Sequence, residues 1–140
     1  MGLLIDTNVL SELRKKERCD PRVRDWFAGI SESDIYVSVI VLGEIRRGAE
    51  LLRRRDPVAA ASLDAWLIAL RASLGDRLLP VTDEIADRWG QLGVPDALPM
   101  ADGMLAATAL VHDLVLVTRN TRDVVRSGAH LLNPFEAVPS

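Results

Sequence analysis

Leu3-Leu4-Ile5-Asp6-Thr7-Asn8-Val9-Leu10-Ser11-Glu12-Leu13 carries most of the information about the fold. Three consecutive apolar residues, short and bounded by a polar one, read as a strand buried on both faces. Asp6 breaks the run. Val9, Leu10 and Leu13 then fall on one side of a helix spanning Thr7 to Lys16. A buried strand that passes directly into an amphipathic helix is the first half of a parallel βαβ unit.

The same rhythm recurs along the chain. Asp20-Pro21 is an N-cap followed by proline and opens a helix through Trp26 and Phe27, closed by Gly29. Ile35 to Ser38 reads as a second strand, followed by a helix from Val39 to Arg54 with Leu42, Ile45, Ala49 and Leu52 as its apolar stripe. Asp56-Pro57 repeats the cap-and-proline signal. The helix after it reaches Ser73 and carries Leu63, Trp66, Leu67, Leu70 and Leu74, so the two helices should form an antiparallel hairpin. Leu78 to Val81 is a short extended segment, and Thr82 caps a helix bearing Ile85, Trp89 and Leu92. Gly93 to Pro99 is a loop, and Ala101 to His112 an Ala-rich helix. Leu114 to Val117 is a further buried strand, Asn120 to Arg126 a short helical turn, and Leu131-Leu132 a last strand. The expectation is a single α/β domain over 1–140, with a central parallel sheet of four to five strands between helical layers.

Composition limits the function. With 140 residues, 49% of them apolar, the chain can bury one core. The single Cys19 excludes an internal disulfide framework and a cysteine-based zinc site, and in its charged surroundings it reads as a bystander. No signal-peptide pattern opens the sequence and no apolar run is expected to span a membrane, so the expected setting is a reducing cytoplasm. The net charge of -3 excludes a uniformly basic nucleic-acid binder. Yet all 17 basic residues except Lys15 and Lys16 are arginines, clustered at 14–24, 46–55 and 119–126. Arginine suits bidentate phosphate contacts, although ion pairs along helix faces explain any one cluster equally well.

The acids give the chemical signal. Asp6 follows the first strand, and Glu44 lies early in the helix after the second. Asp102 opens the Ala-rich helix, and Asn120 and Asp123 follow the Leu114–Val117 strand. In an open parallel sheet these positions converge at the carboxyl ends of the strands. Gathered carboxylates repel one another, and a hard divalent cation offsets that repulsion. Each acid also has a purely structural reading. Asp6 would cap a helix, Asp102 and Asp123 would complement helix N-termini, and Glu44 would pair with Arg47. His112 and His130 form no metal-binding spacing, and neither a glycine-rich phosphate loop nor a nucleophile elbow is present.

Four segments together resemble a known family. Leu4 to Leu13 resembles the opening motif of PIN-domain proteins, most of all the VapC/FitB type of toxin in bacterial toxin–antitoxin pairs. Ser38 to Gly48 resembles their second motif, Asp102 to Ala109 the third, and Val117 to Asp123 the fourth, while Asn133-Pro134-Phe135 resembles the usual ending. The resemblance implies a three-layer αβα sandwich with a protruding helical hairpin, and endoribonuclease activity dependent on Mg²⁺ or Mn²⁺. It implies Asp6 and Asp102 as metal ligands, Glu44 as a ligand or the group that orients the attacking water, and Thr7, Ser38 and Thr118 as hydroxyl supports of the acids. Many relatives carry Asp where this chain has Asn120, and Asp123 is the candidate to supply that charge. Arg46, Arg47 and Arg119 are candidate RNA contacts. A homodimer and a cognate antitoxin seated in the active-site groove are the implied partners, as a simple complex or in a higher assembly. The rival reading from another class is a regulatory module that binds operator DNA with its antitoxin. A third is a pocket that hydrolyses a small nucleotide or resembles a receiver domain, for which the required lysine is missing.

Overall fold

In a computed structural model that describes residues 2–136, the chain alternates strands and helices as the apolar rhythm predicts. The strands are β1 (Leu3–Ile5), β2 (Ile35–Ser38), β3 (Leu78–Leu79), β4 (Val115–Val117) and β5 (Leu131–Leu132). The helices are α1 (Thr7–Arg14), α2 (Pro21–Ala28), α3 (Val39–Arg53), α4 (Pro57–Leu74), α5 (Asp83–Leu92), α6 (Met100–His112) and α7 (Thr121–Val124). The sheet order is β3-β2-β1-β4-β5 and every pairing is parallel. Leu3 pairs with Ile35 on one side and Val115 on the other, so β1 is central. All three β1 side chains are buried, as a strand covered on both faces requires.

The chain moves outward from β1 to β2 and β3, then returns past β1 to β4 and β5. Right-handed crossovers therefore put α1–α4 on one face and α5–α7 on the other. Leu4, Ile5, Val37, Leu116 and Val117 form the middle of the core, with Val9, Val23, Val41, Leu67 and Leu105 packed from the helices. The order reverses between β1 and β4, and the carboxyl ends of these two strands deliver Asp6 and Thr118 side by side.

Several boundaries differ from expectation. The first helix ends at Arg14 and gives way to a 3₁₀ turn at Lys16–Arg18, where Lys16 has a positive φ of 55°. Strand β3 has only two residues, because Pro80 cannot donate to a ladder. Helix α7 is a single turn that runs into a 3₁₀ turn, closed by Gly128 at φ 83°. The α3–α4 hairpin is packed at its base through Leu67 and Leu74, while its tip, with Leu51 and Val58, is exposed.

One expectation is corrected. Pro57–Arg77, with a mean hydropathy of 1.3, is long and apolar enough to cross a membrane by length and composition. Its alanines and leucines raise the mean, but Asp64 lies in its middle, bonded to Arg46 at 2.6 Å and Arg53 at 2.8 Å. In this fold α4 is a sheet-packed hairpin helix.

Candidate active site

Asp6 stands where β1 ends. Its backbone N–H still donates to the Val117 carbonyl at 2.9 Å, so the sheet fixes its main chain. Its side chain is 6% exposed, and both carboxylate oxygens accept hydrogen bonds. Oδ1 accepts from the Thr7 N–H at 2.7 Å. Oδ2 accepts from the Thr118 hydroxyl at 2.6 Å and the Asn8 amide at 3.3 Å. The structural reading of Asp6 is therefore realised. The carboxylate caps α1, and the capping bonds hold it in one orientation with lone pairs to spare.

Thr7, the first residue of α1, donates its hydroxyl to Glu44 Oε1 at 2.7 Å. This bond crosses from α1 to α3 and leaves Glu44 Oε2 free. Among the described residues Glu44 makes no ion pair, and Arg47, its expected structural partner, is not bonded to it. Ser38 does not support an acid. Its hydroxyl accepts from the Ile40 N–H at 3.1 Å and caps α3, since the side chain of a residue that ends a strand and opens a helix meets the free helical amides first.

Asp102 lies in the first turn of α6, where the carboxylate also complements the helix N-terminus. Burial pushes its carboxyl above the ordinary range, and the charges of Asp6, Asp123 and Glu44, in that order of weight, push it further. The four acids are thus electrostatic neighbours, and among the described residues no cation weighs on Asp102 to balance them. Asp123 belongs to this group from the first turn of α7. Asn120 precedes it at the N-cap position, exposed, with no side-chain capping bond. Thr118, 1% exposed, ties this corner to the first: its oxygen donates to Asp6 and accepts from the Asn120 N–H at 3.0 Å.

The arginines separate into different roles. Arg46 is bonded to Asp64 and Glu50, and Arg53 to the same two acids, which locks α3 to α4. Arg53 holds the Asp64 carboxyl down at about 2. The Arg46 side chain is therefore committed to the hairpin. Arg47 borders a recess of about 310 Å³ with Ile40, Glu44, Met100 and Met104, directly beside the acids. Arg119 lies over the Phe135 ring at 4.4 Å, and its charge helps hold the Asp20 carboxyl down. Cys19 is buried with its thiol pushed up by that burial, as an inert cysteine should be.

Sequence reading gave no role to Asn8 or Asn133, which contact the residues around the site directly. The available signal was an amide at the second position of α1, where helix propensity gives no reason for asparagine.

The donor set suits a hard divalent cation. It consists of carboxylate oxygens, with histidine and thiol ligands absent from the group and the mutual repulsion at Asp102 available to be relieved. Among the described residues no three acidic, imidazole or thiol side chains converge tightly enough to hold one ion as they stand. After burial, Asp6 is the charge that weighs most on Asp102, ahead of Asp123 and Glu44.

Known proteins share this sequence pattern and fold. The PIN domain family model matches residues 3–126. The toxin FitB of Neisseria gonorrhoeae is 30% identical over 140 residues, which cover 95% of this chain and 98% of that one. The VapC ribonuclease Y4jK of Sinorhizobium fredii is 30% identical over 141 residues, covering 96% and 98%. The crystal structure of FitAcB from Neisseria gonorrhoeae superposes with a TM-score of 0.86 at 28% identity, over 96% of this chain and 99% of that one.

Proposed function

From the premise that this chain belongs to the PIN-domain family, we propose that it is a metal-dependent endoribonuclease, the toxin of a toxin–antitoxin pair. The observation that carries the reading is Asp102, half-buried in the first turn of α6, with Asp6, Asp123 and Glu44 acting on it and, among the described residues, no cation doing so. Structural acids in folded proteins normally have a basic partner or solvent, whereas a group left in mutual repulsion calls for an ion from outside.

Asp6 and Asp102 would hold Mg²⁺ or Mn²⁺, with Glu44 on one flank and Asp123 and Asn120 on the other. When bound, such an ion lowers the pKa of a coordinated water and stabilises charge that develops on a phosphodiester. The protein's part is orientation. Three hydrogen bonds fix the Asp6 carboxylate. The Thr7 hydroxyl fixes one oxygen of Glu44 and leaves the other to take the proton of the attacking water. In-line attack on phosphorus then leaves a 3′-hydroxyl and a 5′-phosphate. Asn120 offers an oxygen without charge, so Asp123 is the residue that completes the charge at this corner. Arg47, beside Glu44, is the arginine best placed to guide the RNA backbone into the site.

A cognate antitoxin fits the same reading. An apolar groove of about 280 Å³ between α1, α2 and α4 is lined by Leu10, Leu13, Phe27, Trp66 and Leu70, with Arg14 and Arg77 at its rim. An amphipathic segment with acidic flanks would match it. A homodimer and a cytoplasmic setting complete the proposal.

The test is cleavage of single-stranded RNA by purified protein with added Mg²⁺ or Mn²⁺, and none with chelator. Asp6→Asn should abolish cleavage with the circular-dichroism spectrum unchanged. Undiminished cleavage by that variant would remove Asp6 from the mechanism.

A further inference from the structure

The backbone of residue 119 is held from two sides, at its N–H and at its carbonyl, by side chains that the proposed chemistry does not use. On one side Asn8 Oδ1 accepts from the Arg119 N–H at 3.1 Å, while Asn8 Nδ2 donates to Asp6 Oδ2. These two bonds require opposite ends of the amide and fix its orientation. On the other side Asn133 Nδ2 donates to the Arg119 carbonyl at 3.4 Å. Asn133 is itself held, because its Oδ1 accepts from the Phe135 N–H at 2.9 Å. The Phe135 ring, buried, lies under the Arg119 guanidinium.

This grip comes where the sheet can no longer provide one. Strand β4 ends at Val117, and the last backbone bond of the β4 edge runs from the Thr118 N–H to the Leu132 carbonyl. Beyond it come Asn120 and Asp123, on a four-residue helix with no side-chain cap. So short a helix has no stability of its own. Its placement must be imposed from outside, and residue 119 is the last point before Asn120 where this happens.

We propose that Asn8 and the Asn133-Pro134-Phe135 turn form a two-sided clamp on residue 119 that positions Asn120 and Asp123 against Asp6. Asn8 and Asn133 are positioning residues. Asn8 is central to the device because one amide touches both the Asp6 carboxylate and the segment that carries the opposite corner. The clamp also keeps the Arg119 guanidinium on the Phe135 ring. The catalytic consequence rests on the nuclease reading, while the clamp itself does not.

Amide hydrogen exchange followed by NMR on the full chain tests the clamp without any need for activity. In Asn8→Ala the Arg119, Asn120 and Asp123 amides should exchange at least about tenfold faster, with Leu67 and Leu105 unchanged. Asn133→Ala, away from the acids, should do the same to a smaller degree. The double variant should add little to Asn8→Ala, because both hold the backbone of the same residue. Asn8→Asp keeps the acceptor and should keep the Arg119 amide protected. In cleavage assays Asn8→Ala and Asn133→Ala should lower kcat about tenfold with KM within about threefold of the parent. Unchanged exchange at 119–123 in both alanine variants would overturn the clamp. Faster exchange with an unchanged kcat would overturn its positioning role. Failure of the nuclease reading would show differently, as parent protein that cuts nothing while the exchange pattern persists.

Discussion

Thr118→Val isolates the strongest bond in the site. Valine matches threonine in shape, so the pocket stays filled and only the hydroxyl is lost. That hydroxyl is 1% exposed and makes two bonds, donating to Asp6 at 2.6 Å and accepting from the Asn120 N–H at 3.0 Å. A hydrogen bond to a charged group contributes about 1.5–3 kcal/mol, and the half-buried Asn120 amide adds about 1 kcal/mol, part of which water recovers. The expected loss is therefore about 2–4 kcal/mol. At roughly 3–4 °C per kcal/mol for a chain of this size, Tm should fall by about 6–16 °C. Thr118→Ser keeps the oxygen and loses only a methyl, at a cost of about 1 kcal/mol. The assay is urea unfolding with chelator present, extrapolated linearly to water for the parent and both variants. The ordering parent, serine, valine is the prediction. A valine variant within about 0.5 kcal/mol of the parent, the range of an ordinary surface change, would refute the assignment of Thr118 as the anchor of Asp6.

Asp102→Asn should stabilise the metal-free protein at neutral pH. The carboxyl is pushed above its ordinary value by burial and by Asp6, Asp123 and Glu44, so its ionised form opposes folding. That penalty is complete above the folded-state pKa and disappears as pH falls below it, so the Tm advantage of the variant should shrink in acid. Saturating Mg²⁺ should raise the Tm of the parent and leave the variant unmoved, as thermal scans with and without the ion would show. Asp64, held at about 2 by Arg53 and Arg46, has the opposite sign. Its contribution is present above the ordinary carboxylate range and lost as pH falls towards 2, so Asp64→Asn should lower Tm at pH 7 and make no difference near pH 2. Leu67→Ala opens a cavity under the hairpin at a fully buried position and should cost about 2–5 kcal/mol, with the specific activity of the folded fraction retained at low temperature.

The fold was legible because its signals are local. Leu3–Ile5, Ile35–Ser38 and the Leu114–Val117 run announce buried strands by apolar continuity, and Asp20-Pro21, Asp56-Pro57 and Thr82 announce helix starts by capping chemistry. The structure keeps each of them within a residue or two. The misplaced features answer to partners distant in sequence. Whether Ser38 supports an acid or caps α3 depends on which amide lies nearest its hydroxyl, and the answer was Ile40. Whether Arg46 faces RNA or protein depends on Asp64, 18 residues away across the hairpin. Periodicity carries neither kind of information. The expectation of no membrane-length apolar run failed on Pro57–Arg77 for another reason: single charges interrupt the run to the eye while alanine and leucine keep the mean high.

At the acids, the choice between structural and chemical readings was itself the obstacle. Asp6 caps a helix, Asp102 and Asp123 occupy first helical turns, and each is therefore explained without any reference to function. The structure shows that the two readings share a cause. Helices that start at the carboxyl edge of a parallel sheet present N-termini there, and N-termini favour carboxylates. The edge that stabilises each acid singly also crowds them together, which no single helix would do. What separates a site from a set of caps is the missing counter-charge. Arg46 and Arg53 are drawn off to Asp64, Arg119 is stacked on Phe135, and Asp102 is left with carboxylates as its only charged influences. Arg47, in the recess beside Glu44, is the exception among these arginines: it makes no ion pair among the described residues, which leaves it for the proposed RNA path while the acids are left for the proposed metal.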